Sequence, residues 1–527
     1  METTTILILL TAVVILSTLL SQKLFALQID SREPPILKSK IPYIGHVINL
    51  LQYGQDYYVY LDQQHRKPIY TLQLGPQRVY VASSPEWCQA VHKNHKTLVF
   101  NGLVAHAMEK AFLFDKNSLE VMNNNLYLTE GSHGVMAEVH DQCYPFLLPG
   151  QSLDSMNYAF FSQLPKQFSS LAKGEISEKV RLFDYIRPRF AITSMYALYG
   201  PKNIFALNPE LEEMFWLFSE GIGPIMASPA PSITHRKVDQ ARRKCMAALE
   251  QYAKDESWKE ASGFIQKRFE VATRNGLTLQ MAGRAELSMM FGLLVNTVPA
   301  SFWVISFLFA DQHLLSEVRA EIEKCIRSDA GEATIYISRL KSQCPLLLAT
   351  IREVLRTAAP MNAIRVVKEE TSITGVGTGE THVLKQGSFV VTAANAVHAS
   401  ASIWGPGADT FDPRRFYQPS SPDASLDLAR AAQAVISRKV HPGAFRAFGS
   451  GINLCPGRHF AQTEIAALTA LMVLQFDLKD ALTRGPYKPP KFEPSKVFHG
   501  VVRPDKDVEV TVTRRPGWQA KDFVFEM

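Results

Sequence analysis

The chain has 527 residues, of which 46% are hydrophobic, and a formal net charge of +6 at pH 7. That length and apolar content suit a large buried core, while the mild charge and the lack of any dense basic block interleaved with aromatics argue against nucleic-acid binding. Cys88, Cys143, Cys245, Cys325, Cys344 and Cys455 are scattered without C-x-x-C spacing; neither a zinc site nor a disulfide framework is suggested, which fits a reducing compartment.

Thr3 to Leu20 is almost wholly apolar, carries no charge and is followed by Gln22 and Lys23, so it approaches the ~20 residues that a helix needs to cross a bilayer. The start has no basic n-region, Glu2 is acidic, and the apolar stretch exceeds a usual h-region. An anchor is therefore preferred to a cleaved signal peptide, with the body on the cytosolic side. Residues 1–28 are expected to be a membrane anchor with its flank. No repeat or long low-complexity linker divides residues 29–527, which read as one large domain.

Ile69 to Ala82, two alternating runs around Gly75-Pro76, predicts a hairpin, and Val508 to Thr513 a late strand. Gly221 to Thr234, rich in Gly, Pro and Ser, reads as a surface loop between helices. Met289 to Ala310 is a second uncharged stretch; a helix apolar all round can be the central helix of a large core as well as a membrane span. Inside it, Pro299 has no N–H for the carbonyl of Val295 and is expected to kink the helix, with Asn296 and Thr297 the nearby polar side chains.

Leu346 to Thr357 reads as a helix that places Glu353 and Arg356 on one face at i and i+3. A strand-like segment, Ala363 to Val367, follows with Arg365 at its centre; then come Phe411-Asp412-Pro413-Arg414-Arg415-Phe416 and a solvent-facing insertion over Gln418 to Ser437. Phe448 to Arg458 sets Cys455 in a glycine-rich turn just before a helix predicted over Arg458 to Phe476. Gly451 and Gly457 are expected to adopt backbone conformations closed to other residues. The first amides and the dipole of the helix face the sulfur, which lowers a thiol pKa and predisposes the cysteine to be an anionic metal ligand.

Phe448, Gly451, Cys455 and Gly457 match the Phe-x-x-Gly-x-x-x-Cys-x-Gly signature, and on these residues the chain resembles the cytochrome P450 family of haem-thiolate enzymes. Glu353 and Arg356 resemble its Glu-x-x-Arg helix, and Pro413 to Phe416 its Pro-x-Arg-Phe segment, so that Arg415 completes a buried Glu/Arg/Arg cluster supporting the cysteine loop. Pro34-Pro35 and Ile41-Pro42-Tyr43-Ile44-Gly45-His46 resemble the proline-rich hinge of microsomal members. The resemblance implies an α+β, mainly α, cytochrome P450 fold with an N-terminal transmembrane helix. It also implies haem b with Cys455 as axial thiolate, a ligand that favours O–O cleavage, and Arg365 on a haem propionate. Electrons would come from NADPH through NADPH-cytochrome P450 reductase. The substrate would be an apolar small molecule, the partner surface membrane lipid, and the location the endoplasmic reticulum membrane, single-pass, with the catalytic domain on the cytosolic face.

Two departures stand out. Val298 and Pro299 occupy the positions of the acid and threonine that relay protons in the family, and no Trp-x-x-x-Arg lies between 110 and 160, which leaves a second propionate partner unassigned. The run Asn296 to Trp303 resembles bile-acid-pathway sterol hydroxylases and prostacyclin synthase. This points to a sterol, terpenoid or other secondary metabolite as substrate, and to Asn296, with Thr297, as the polar groups over the iron; Asn296 satisfying the broken helix is the other reading. An isomerase or dehydratase acting on an oxygenated or peroxide substrate without a reductase, and a non-catalytic haem-binding protein, are the alternative functions.

Overall fold

The structure, a computed structural model, describes residues 30–127, 131, 133–168, 177–329, 331–360, 362–417, 440–441, 443–494, 499–519 and 521–527. The expected anchor at 1–28 and the insertion expected at 418–437 lie outside the described residues. What is described is a mainly helical α+β fold, with small sheets set around a helical core.

The uncharged stretch is the heart of that core. It forms part of a 32-residue helix, Leu279–Ala310, started by the Thr278 hydroxyl accepting from the Met281 N–H. Its most apolar 18-residue window is 83% buried, so protein rather than lipid covers it. Helices Leu182–Tyr199, Arg236–Lys254, Pro345–Ala358 and Arg458–Gln475 pack on it. Leu293, Leu294, Val295, Val298, Phe302, Trp303 and Ile305 fill these contacts, each contributing about 1.5–3 kcal/mol on full burial. The helix continues through Pro299. Hydroxyls from both sides of the proline occupy backbone acceptors that precede it: Thr297 Oγ1 donates to Leu293 O at 2.8 Å, and Ser301 Oγ to Thr297 O at 2.9 Å.

The predicted hairpin forms as strands Ile69–Leu74 and Gln77–Ala82, in register from Leu74 opposite Gln77 to Ile69 opposite Ala82. The turn needs Gly75, whose φ is +61°. Three more strands extend this sheet: Phe389–Thr392, parallel to Gln77–Ala82, then Ala363–Val367 and Leu98–Val99. The proline segment is pinned to its edge, since Thr71 donates its hydroxyl to Pro34 O at 2.7 Å and its N–H to Pro35 O at 2.9 Å. The late strand, Glu509–Arg514, pairs with Phe476–Asp480 and Ser177–Arg181. One expectation is corrected: within the Gly221 to Thr234 stretch the chain forms two short helices, Ile222–Ala227 and Pro231–Thr234, the second opened by its proline at N1.

Candidate active site

The turn that carries Cys455 is built by two left-handed glycines. Gly449 has φ +73° and Gly451 φ +63°; a Cβ on Gly449 would stand 3.1 Å from Asn453 O. Gly457 corrects the sequence reading, because its φ of −78° is open to any residue. Its distinction is space: a Cβ there would meet nothing within 4 Å. The turn closes on itself, with Cys455 N–H donating to Phe448 O at 2.9 Å and Leu454 N–H to Gly451 O at 3.1 Å, while the half-buried Phe448 ring packs against the main core.

Cys455 precedes helix Arg458–Gln475, as expected, but its thiol pKa moves the other way from the sequence expectation. Burial is the larger effect and pushes it up; the Gly457 and Arg458 N–H groups and the Arg458 guanidinium pull it down. Donors are thus arranged around the sulfur for an anion, yet the anion is fully favoured only against a facing cation such as a metal ion.

The Glu/Arg/Arg cluster assembles. Arg356 Nε and Nη2 donate to the two Glu353 oxygens at 2.8 and 2.6 Å, and Arg415 Nε donates to Glu353 Oε1 at 3.4 Å. Asp412 N–H also donates to Glu353 Oε1, at 3.0 Å. The remaining arginine donors reach carbonyls: Arg356 Nη1 to His398 O and Ala408 O, Arg415 Nη1 to Trp404 O and Nη2 to Gly407 O. His398 then joins the cluster to the cysteine loop, because its Nε2 accepts from the Arg446 backbone N–H at 2.9 Å. Burial, aided by the Arg356 and Arg446 charges, lowers the His398 pKa to about 3, which keeps the ring neutral and able to accept.

Arg365 is 2% exposed on its strand. Its Nη2 lies 2.9 Å from His92 Nδ1, and its Nη1 donates to Leu98 O at 3.3 Å. Arg365 Nε and His92 Nε2 are buried with no hydrogen-bond partner among the described residues. No local motif in the sequence marks His92, His398 or Arg446.

On the long helix, Ala285, Ser288, Met289, Gly292 and Asn296 form a row at i, i+3 or i+4 spacing that the surrounding core leaves partly uncovered. Asn296 Oδ1 accepts from the Gly500 N–H at 2.9 Å, which ties the helix to the C-terminal loop. The Thr297 hydroxyl turns into its own helix, toward Leu293 O, so of the two residues expected over the iron only Asn296 belongs to the uncovered row.

A helical body built on one long central helix, with a cysteine turn braced by a buried Glu/Arg/Arg cluster, defines a cytochrome P450. The cytochrome P450 family model matches residues 216–512, and the chain belongs to that family of oxidoreductases. It is similar to the cytochrome P450 monooxygenase nodJ of Hypoxylon pulicicidum, 28% identical over 95% of this chain and 93% of that one. It is also similar to the 7-alpha-hydroxycholest-4-en-3-one 12-alpha-hydroxylase of Oryctolagus cuniculus, 23% identical over 92% and 94% of the two chains, and to cytochrome P450 7B1 of Mus musculus, 25% identical over 93% of each. The retinoic-acid-bound cyanobacterial CYP120A1 shares the fold, with a TM-score of 0.68 at 19% identity, over 92% of this chain and all of that one.

The family implies a haem-thiolate cofactor, and the residues present fit it. A single thiol sits among N–H donors suited to an anion, Gly457 leaves open space beside it, and the buried, unpartnered nitrogens of Arg365 and His92 suit carboxylates.

Proposed function

We propose that this protein is a membrane-anchored haem-thiolate monooxygenase that oxidises an apolar polycyclic substrate, of sterol or terpenoid type, in secondary metabolism. Residues 1–28 anchor it, and residues 29–527 form the catalytic domain on the cytosolic face of the endoplasmic reticulum. Ile41, Ile44, Ile48 and Leu51, 50%, 52%, 43% and 83% exposed, support this reading, since they offer an apolar face on and just before helix Gly45–Tyr53 downstream of the anchor. Cys455 holds haem b, whose bound form supplies dioxygen activation with electrons from NADPH through NADPH-cytochrome P450 reductase. Phe448, Gly451 and Gly457 shape the turn around it, and Arg365 takes a propionate. Glu353, Arg356 and Arg415 keep the turn in place through His398. The row from Ala285 to Asn296 walls the substrate side, where Asn296 offers an amide held by Gly500; Thr297 acts through the helix by filling the Leu293 carbonyl. The observation that carries this reading is the Cys455 turn, with backbone N–H donors on its sulfur and a buried ion cluster behind it.

The sterol class draws support from the similarity to the 7-alpha-hydroxycholest-4-en-3-one 12-alpha-hydroxylase, and the monooxygenase reaction from the similarity to the cytochrome P450 monooxygenase nodJ. Product formation by the full chain with and without NADPH and reductase tests the reaction. Turnover only with both supports the monooxygenase. Val298 and Pro299 in place of an acid and an alcohol favour one second reading, an isomerase or dehydratase of an oxygenated substrate, which would turn over without either. The carbon monoxide complex of the reduced protein should show the red-shifted Soret band of thiolate-bound haem, lost in Cys455→Ala and retained in Cys143→Ala; a band that survives Cys455→Ala overturns the ligand assignment.

A further inference from the structure

The missing Trp-x-x-x-Arg and the neutral Asn453 two residues before Cys455 leave a haem of two carboxylates with only Arg365 in a familiar place. The fold brings a second cation to that side from an unexpected position. Arg446, on the approach to the cysteine turn, is 4% exposed. Its Nη2 donates to Ser450 Oγ at 2.7 Å and its Nη1 to Gly443 O at 3.1 Å, and no carboxylate pairs with it among the described residues. His92 stands against the same turn, about where a Cβ on Gly451 would be in van der Waals contact with it, and bonds to Arg365.

These three basic side chains interact. Burial lowers the His92 pKa to about 3, with Arg446 and then Arg365 adding to the effect, and burial followed by Arg446 lowers that of Arg365 to about 10. Gathering like charges away from water without an anion is costly, and leaving Arg365 Nε and His92 Nε2 without acceptors adds to the cost. An anion of fixed geometry that reaches both arginines relieves all of it, and guanidinium groups are suited to carboxylates.

We propose that Arg446, assisted by His92, binds the second haem carboxylate in place of the missing helix arginine, while Arg365 binds the first. The inference rests on Cys455 being the haem ligand. It is tested on full-length holoenzyme loaded either with haem or with haem dimethyl ester, whose carboxylates carry no charge, by the rate of transfer to excess apomyoglobin. Wild type should release the ester faster than haem. Arg446→Met should speed release of haem by about tenfold or more, the size of one lost charged hydrogen bond, while leaving release of the ester close to wild type; Arg446→Lys should restore most of the retention. His92→Phe should give a smaller change with the same selectivity, and it carries the comparison if Arg446→Met does not accumulate as holoprotein. Equal acceleration of haem and ester would mean that Arg446 only shapes the Gly443 to Ser450 turn, and no acceleration of either would remove it from the site; both results overturn the proposal. A wild-type spectrum without the thiolate Soret band would instead overturn the Cys455 assignment on which it stands.

Discussion

Glu353→Ala probes the joint between helix Pro345–Ala358 and the cysteine turn. Glu353 is completely buried, and its two oxygens accept four hydrogen bonds, two from Arg356 and one each from Arg415 and the Asp412 N–H. Removing the carboxylate strands the Arg356 guanidinium, whose side chain is 1% exposed, among the carbonyls of His398, Ala408 and Thr410 with no opposing charge. Breaking one partner out of a buried ion pair costs about 3–5 kcal/mol, against about 0.2–0.5 kcal/mol for an exposed i, i+3 pair. The burial decides for the larger figure. Because the next link is His398 and the Arg446 N–H, the loss should appear as lower haem-to-protein ratio and lower melting temperature, with product identity unchanged. In the Arg356→Met background the stranded charge is already gone, so Glu353→Ala should cost less there than in wild type. Wild-type melting and haem content in Glu353→Ala would refute the brace.

His398 gives a pH test. Its native pKa of about 3 lies below the ordinary 6.5, so the unfolded chain binds the proton first; stability is lost as pH falls below about 6.5, by up to ~1.4 kcal/mol per unit. His398→Gln keeps an acceptor for Arg446 and should flatten the slope of unfolding free energy between pH 6.5 and 5, whereas an unchanged slope would assign the acid sensitivity elsewhere. Gly449→Ala forces a Cβ into a left-handed residue 3.1 Å from Asn453 O and should destabilise by about 1–3 kcal/mol in thermal unfolding; no loss would show that the turn relaxes freely. Asn296→Ala should lower product formed per NADPH consumed far more than substrate affinity. Under the isomerase reading it should instead slow conversion of the oxygenated substrate directly, and unchanged coupling and rate would confine Asn296 to bracing Gly500.

The parts of the site legible in the sequence are those whose chemistry is local. The cysteine turn, the Glu353 and Arg356 pair and the hairpin at Gly75 depend on neighbours a few residues away: spacing places them on a turn, a helix face and a hairpin, and the family resemblance gives the first two their roles. The direction of the thiol pKa shift is not legible in the sequence, because helix amides are visible there but burial of the sulfur is not. Thr297 shows the same limit: whether a helical hydroxyl faces a site or the preceding carbonyl is a rotamer choice, and here it goes to Leu293 O. His92, Arg446 and His398 come from three separate segments and acquire a role only where those segments meet. The 3.4 Å approach of the Cys325 and Cys344 sulfurs is likewise absent from any C-x-x-C spacing.

The Leu279–Ala310 helix carries two kinds of position, and they differ in how freely they can mutate. Truncating its large buried residues, such as Phe302 or Ile305, opens cavities worth about 2–5 kcal/mol each, which few natural proteins tolerate. Ala285, Ser288, Met289 and Gly292 are only partly covered by the core and carry a smaller penalty, and at Gly292 a new side chain would begin with nothing within 4 Å. If that row walls the substrate side, as proposed, substrate range can change along it while the scaffold stays fixed, and a laboratory library confined to those four residues would read this out as altered product profiles.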